Sequence, residues 1–257
     1  MNEAIRQLFE RTSIRAFSNE PVSSEDERLI LEAACQAPTA GNQQLYSIIV
    51  VHDQAVKDVL ARSCDNQSMI SRAPLVLAFC ADMRRWTRAF EEGGCDPRPV
   101  GVGDAALALE DTMIAAQNAV VAAQSLGIGS CYVGDFLENY DEQRRILGLP
   151  DLVLPAVLLV LGHPVEGRRP PRKPARFDLS LVVSEDSYRD PSAEELRRAI
   201  AEKDGVEPGT PEADRRLKAF CERKWNSEFS REMTRSVAQM LSPLATGFSQ
   251  PDEAGER

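Results

Sequence analysis

The chain has 257 residues, of which 43% are hydrophobic and 27% charged, a balance that can build a sizeable core and argues against a disordered chain. Its formal net charge of −10 argues against nucleic acid and anionic membrane surfaces, because both reward clustered positive charge. With no apolar run near the ~20 residues of a spanning helix, and no apolar signal segment in MNEAIRQLFER, a cytoplasmic protein is expected.

In chain order, Ser24 with Glu27 reads as a capping box, and Leu29, Ile30, Ala33, Ala34 and Ala37 supply a helical stripe that ends at about Ala37, before Pro38. The runs Tyr46–Val51 and Leu75–Cys80 are β-branched or apolar and predict buried strands. From Asp104 to Leu126 the chain is apolar almost all round, which predicts a long, largely buried helix spanning about 33 Å. Cys131–Val133 and Leu154–Leu161 read as two further strands, with a helix over Asn139–Leu147 between them. Ser192–Lys203 predicts a charged helix and Asp204–Gly209 a loop. Thr210 then caps a helix with Pro211 at its first position, predicted to continue to about Leu241. Its apolar residues Leu217, Cys221, Trp225, Phe229, Met233, Val237 and Leu241 are spaced by four, so the ladder drifts about 40° per step and no single flat face collects it. Such a helix is expected to be an arm packed on a partner subunit, with a fold over its own domain as the alternative. The last stretch, from Ser242 to Arg257, is polar and expected to fray.

Three segments carry candidate chemistry. Arg11-Thr12-Ser13-Ile14-Arg15 places two guanidinium groups and two hydroxyls within five residues, which are phosphate ligands by type; an ordinary basic helix end is the alternative. Arg168, Arg169, Arg172, Lys173 and Arg176 form a second basic cluster within nine residues. In an acidic chain a bound phosphate accounts for such clusters. The loop Ala37-Pro38-Thr39-Ala40-Gly41-Asn42-Gln43-Gln44 combines a rigid turn with three carboxamides that both donate and accept, as the edge of a flavin pyrimidine requires. It reads equally as a turn with solvated amides. Gly127-Ile128-Gly129-Ser130-Cys131-Tyr132-Val133-Gly134-Asp135 joins the long helix to a strand, and its glycines allow close approach to a flat ligand or simple packing.

Other chemistries lack their residues. Gly101-Val102-Gly103-Asp104 follows a loop where a dinucleotide fingerprint needs a strand. Six scattered cysteines without a C-x-x-C pair, and two histidines, make a zinc site improbable on composition. Cys80 and Cys131 read as buried reduced thiols.

The order of these pieces resembles the nitroreductase family over roughly residues 3–188: R-T-S-I-R near the start, A-P-T-A-G-N-Q-Q before the first strand, Asn66-Gln67 before A-P-L-V-L-A-F, G-I-G-S-C-Y-V-G-D after the long helix, and R-K-P near the domain end. The resemblance implies an α+β fold, with a mixed central sheet flanked by helices around a long buried helix, and a homodimer with two FMN sites in its interface. It implies that Arg11, Thr12, Ser13 and Arg15, joined by Arg172 and Lys173, hold the phosphate and ribityl chain of FMN. Pro38, Thr39, Ala40, Asn42 and Gln44 would reach the flavin of the other subunit, Asn66 would face the pyrimidine edge, and Tyr132, Val133, Gly134 and Asp135 would cover the ring system. No catalytic side chain and no metal is implied.

Two departures from the family pattern stand out. Relatives often carry lysine near flavin N1 where this chain has Met69, and Trp or Phe where it has Leu45-Tyr46. The implied organisation is an FMN-binding domain over 1–188 with a helical C-terminal extension over 189–257. The implied activity is ping-pong transfer of two electrons from NADH or NADPH to a nitroaromatic, quinone or flavin. A flavin-binding sensor with little turnover, or an FMN enzyme of the same fold acting on an enoate, a dehalogenation substrate or flavin itself, is the alternative.

Overall fold

The structure, a computed structural model, describes residues 1–167 and 172–245. Arg168, Arg169 and the part of the expected frayed end beyond residue 245 lie outside the described residues. Among the described residues eleven α-helices and four strands follow one another as α1 (Glu3–Glu10), α2 (Ser24–Cys35), β1 (Tyr46–Val51), α3 (Gln54–Ser63), α4 (Ser68–Arg72), β2 (Leu75–Asp82), α5 (Arg84–Glu92) and α6 (Val102–Ser125). Then come β3 (Gly129–Val133), α7 (Tyr140–Leu147), β4 (Val153–Gly162), α8 (Leu179–Val182), α9 (Ala193–Lys203), α10 (Pro211–Lys224) and α11 (Glu228–Ala245). The class is α+β, as expected.

The strands form one sheet in the order β1-β2-β4-β3, antiparallel at every pairing. This corrects the expected mixed sheet: the parallel component among the described residues is a single bridge between Ser13 and Ser130. Every side chain of β2 and β4 is buried, because helices cover both faces, and that is why these strands read as continuous apolar runs rather than as alternation. Along β2 the pleat sends Val76, Ala78 and Cys80 to a layer with Leu60, Ile70 and Phe136. Leu75, Leu77 and Phe79 face Ile30 and the alanines of α6. Ala115, Ala116, Ala119 and Ala123 give α6 a nearly smooth face that lets the helix lie close on the sheet. The register between β2 and β4 slips between Phe79 and Cys80, opposite Pro155, since proline has no N–H to donate and is carried within a sheet at a bulge.

By packing, the described chain divides into two compact units, one containing residues 1–167 and 232–245 and the other residues 172–231. The sequence reading places one division after residue 188. The tail is not the single helix expected from Thr210 to Leu241. It breaks at Trp225–Ser227, where the N–H groups of Trp225 and Asn226 both reach back to the carbonyl of Cys221 and Ser227 Oγ accepts the Ser230 N–H to start α11 afresh. Asn and Ser compete for backbone hydrogen bonds in this way and favour caps over helix interiors. Past the break, Met240 and Leu244 are buried with Leu45, Met83, Ala105, Ala108 and Tyr140 of the first unit. In the second unit, Lys203 Nζ lies 5.1 Å above the ring of Phe177 and 5.9 Å above that of Phe220.

Candidate functional site

The first site segment is shaped by the end of α1. Arg11 caps that helix, its N–H bonding the carbonyl of Gln7 at 2.9 Å, after which the chain runs extended beside β3. Ile14 N–H donates to Ser130 O at 2.9 Å. This approach needs a glycine at position 129, since a Cβ there would lie 2.7 Å from Ile14 Cγ1. The phosphate-type segment and the glycine-containing segment after α6, 115 residues apart in sequence, are thus one local structure. Burial pushes the Cys131 thiol up, while the charges of Arg15 and Arg11 and side-chain bonds with Ser13 and Arg15 oppose it. Burial likewise pushes the Tyr132 hydroxyl up to about 12, against the charge of Arg11. Arg11 Nη1 is buried and has no hydrogen-bond partner. A buried cationic donor left open in this way is costly unless an acceptor meets it, and an anionic group beside Ser13 and Arg15 is the chemistry the arrangement suits.

The second segment follows α3. Asp65 and Asn66 both take left-handed backbone, φ 56° and 54°, and turn the chain so that the Gln67 carboxamide donates to the carboxylate of Asp135. Asn66 and the turn of Gly134–Leu137 are therefore brought together through Gln67. Met69 is buried in the core beside them. Glu138, three residues beyond Asp135, is 6% exposed and its Oε1 has no hydrogen-bond partner. Burial, reinforced by Asp135, Asp65 and Glu232, pushes its carboxyl from the ordinary 4.5 up to about 7. Because the unfolded carboxyl ionises first, the native state holds the extra proton, so stability falls as pH rises from about 4.5 to 7 and is level above. Glu138→Gln should remove this slope, leaving Tm unchanged at pH 4.5 and raising it by about 3–6 °C at pH 8. Thermal melts across that range check it, and equal slopes in both proteins would contradict the assignment.

The third segment is the loop after α2. Pro38 leads into it, and Thr39, Ala40, Asn42 and Gln44 are folded against α6 by Asp111, whose carboxylate accepts from the Thr39 hydroxyl, the Ala40 N–H at 2.9 Å and the Leu45 N–H at 3.3 Å. The first segment lies at the other end of the same helix, where Arg11 lines a small cleft together with Val121 and Gln124. From Asp111 to Gln124 is thirteen residues, about 20 Å along the axis. One chain therefore holds the loop and the arginine cluster well apart. Beside the loop, a cavity of about 440 Å³ is lined by Gln43, Leu45, Trp86, Phe90, Val100 and Leu107.

Arg172 and Lys173 lie in the second unit, and Arg176 there bonds the carbonyl of Pro174. Among the described residues no group of three or more His, Cys, Asp or Glu is placed to hold a metal ion. Cys64 and Cys80 are buried, with thiols pushed up to about 12 by burial, which keeps them protonated and unreactive. Asp111 and Glu138 were not among the residues singled out from sequence, and Gln67 stood there only as part of the Asn66-Gln67 motif with no role assigned. A carboxylate on an alanine-rich helix face is the one signal that pointed to Asp111.

The model of the nitroreductase family matches residues 8–163. The chain is 30% identical over 253 residues to an FMN reductase [NAD(P)H] of Bacillus subtilis, covering 95% of this chain and 93% of that protein. It is 34% identical over 190 residues to an oxygen-insensitive NADPH nitroreductase of Salmonella typhimurium, covering 74% and 76%. The solved structure of NfrA2 from B. megaterium superposes with a TM-score of 0.80 at 29% identity, covering 98% of this chain and 100% of that one.

Proposed function

The chain belongs to the nitroreductase family, and from that premise we propose that it binds FMN and carries two electrons from NADH or NADPH to a small acceptor, in alternating half-reactions. The observation that carries this reading is the buried, open Arg11 Nη1 beside Ser13 and Arg15 at the edge of β3. The names of the relatives, FMN reductase and NADPH nitroreductase, agree with it. Arg11, Thr12, Ser13 and Arg15 would hold the phosphate and ribityl end, and Arg172 and Lys173 are proposed as phosphate ligands by the resemblance alone. Asn66 would meet the pyrimidine edge, and Tyr132, Val133, Gly134 and Asp135 would cover the ring. When bound, FMN supplies the redox chemistry itself. The protein's part is to bind, orient and shelter. The cavity beside the loop, flanked by Trp86 and Phe90 with Asp96, Arg98 and Asp104 also on its wall, has a size that suits a small aromatic acceptor such as a quinone or nitroaromatic.

A homodimer is part of the proposal. On α6, Leu107, Met113 and Ile114 are exposed, as are Ile5, Leu8 and Phe9 on α1, a quantity of apolar surface that marks an interface. The 20 Å between the loop and the arginine cluster supports a site completed by two subunits, in which Pro38, Thr39, Ala40, Asn42 and Gln44 serve the partner's flavin. In the tail, Trp225 is 77% and Phe220 46% exposed, which supports an arm laid on the partner by α10 and the turn after it, whereas α11 from Glu232 to Ala245 packs within its own first unit and so follows the alternative of a tail folded over its own domain. Among the described residues no helix is long and apolar enough to cross a membrane, and the proposal places the dimer in the cytoplasm.

The purified protein should be yellow and release FMN, not FAD, on denaturation, and NADH or NADPH added anaerobically should bleach the flavin band. Mass spectrometry of the released cofactor decides the first point. Recovery of FAD, or of no flavin after reconstitution, would contradict the reading, and bound FMN that neither nucleotide bleaches would favour the sensor alternative.

A further inference from the structure

Asp111 is a carboxylate, 3% exposed, on the alanine-rich helix that crosses the sheet. Its two oxygens accept from three donors of one loop: the Thr39 hydroxyl, the Ala40 N–H and the Leu45 N–H. Thr39 Oγ1 in turn accepts the Gln44 N–H at 2.8 Å, so both ends of the loop are tied to one point. Between those ties Gly41, Asn42 and Gln44 all take left-handed backbone, at φ 55°, 57° and 51°. Two of the three are not glycine, and such backbone persists only where its surroundings over-determine it. On the outer side Trp86 Nε1 donates to Gln43 O at 2.7 Å and Arg85 Nη1 to Gln44 O at 3.0 Å. The loop is thus held from within by the carboxylate and from without by α5.

We propose that Asp111 is the positioning residue of the flavin site. Its buried carboxylate holds residues 39–45 in the fold in which Gly41, Asn42 and Gln44 are left-handed, and so sets the affinity of the dimer for FMN. The inference rests on the proposed role of this loop at the partner's flavin. A carboxylate is needed because all three groups donate. An asparagine at this position has the same shape but one acceptor oxygen, and its NH₂ group would face a donor. Thr39 acts through its hydroxyl, which donates to Asp111 and accepts from Gln44, so serine can replace it and valine cannot.

The test compares wild type, Asp111→Asn, Thr39→Val and Thr39→Ser as full-length chains, each checked for native circular dichroism. Hydrogen exchange of the amides of residues 39–45 is followed with and without FMN, and FMN affinity is titrated by flavin fluorescence. In Asp111→Asn and Thr39→Val, the amides of Ala40, Gln44 and Leu45 should exchange at least about tenfold faster in both states, with FMN bound about tenfold more weakly. Thr39→Ser should match wild type in both. If Asp111→Asn does not fold, Thr39→Val carries the same test. Unchanged loop exchange in a folded variant overturns the positioning role. A loosened loop with unchanged FMN affinity overturns its link to the flavin, whereas a wild-type protein that binds no FMN sinks the proposed function itself.

Discussion

Arg11→Ala should bind FMN about 10–100-fold more weakly than wild type while its flavin-free form becomes more stable. The first half follows from loss of a charge-assisted hydrogen bond, worth about 1.5–3 kcal/mol. The second half follows from the state of the guanidinium in the structure. Arg11 Nη1 is buried without a hydrogen-bond partner, so its removal relieves a desolvated donor and should raise the stability of the flavin-free protein by about 1 kcal/mol. Arg15 is exposed, and Arg15→Ala should show a comparable loss of affinity without that gain. Flavin-fluorescence titrations paired with thermal melts of stripped protein measure both quantities. A purely structural arginine would give the opposite pattern, with Arg11→Ala lowering stability and leaving FMN affinity unchanged.

Met240→Ala should destabilise the protein by about 2–5 kcal/mol, the usual range for emptying a fully buried methionine site. Met240 is 2% exposed and packs with Leu45, Met83, Ala105 and Tyr140. One turn earlier, Ser236 is fully buried and accepts the Tyr140 N–H at 2.9 Å, and Glu232 accepts the Asn139 N–H. The second half of α11 thereby closes the core of the first unit and supplies acceptors that the start of α7 otherwise lacks. Truncation after Arg231 strips all of this at once and should leave a protein that melts far earlier or is insoluble. Urea unfolding of Met240→Ala settles the point, and a midpoint equal to that of wild type would mean that this helix does not close the core.

The burial of α11 also shows where reading by pattern stops. The ladder spaced by four from Leu217 to Leu241 is the same on both sides of Trp225, so periodicity alone extends one helix through it. The break depends on Asn226 and Ser227 finding backbone partners, and the burial of Met240 depends on a surface made by Leu45, Met83 and Ala105, more than 130 residues upstream. The antiparallel sheet was hidden for a related reason. β2 and β4 are covered on both faces, so neither alternates, and a continuous apolar run is compatible with either strand direction.

By itself the amino-acid sequence determined the four strands, the long helix and the family. Periodicity and capping are local, which is why β1 spans Tyr46–Val51 as expected, α6 covers the apolar stretch and Thr210 caps its helix, although at α2 the cap is Ser23, bonded to the Asp26 N–H, one residue before the expected Ser24. The order of five short motifs was enough to identify the family that the comparisons then showed. Only the tertiary structure decided which motifs meet: Arg11 and Ser13 with Cys131, Gln67 with Asp135, Thr39 with Asp111. Each contact joins residues at least 68 positions apart, and each turns on burial, which leaves one arginine nitrogen without a partner and makes one helix carboxylate the anchor of a loop. Burial is a property of the whole packed chain, so no local window of sequence contains it.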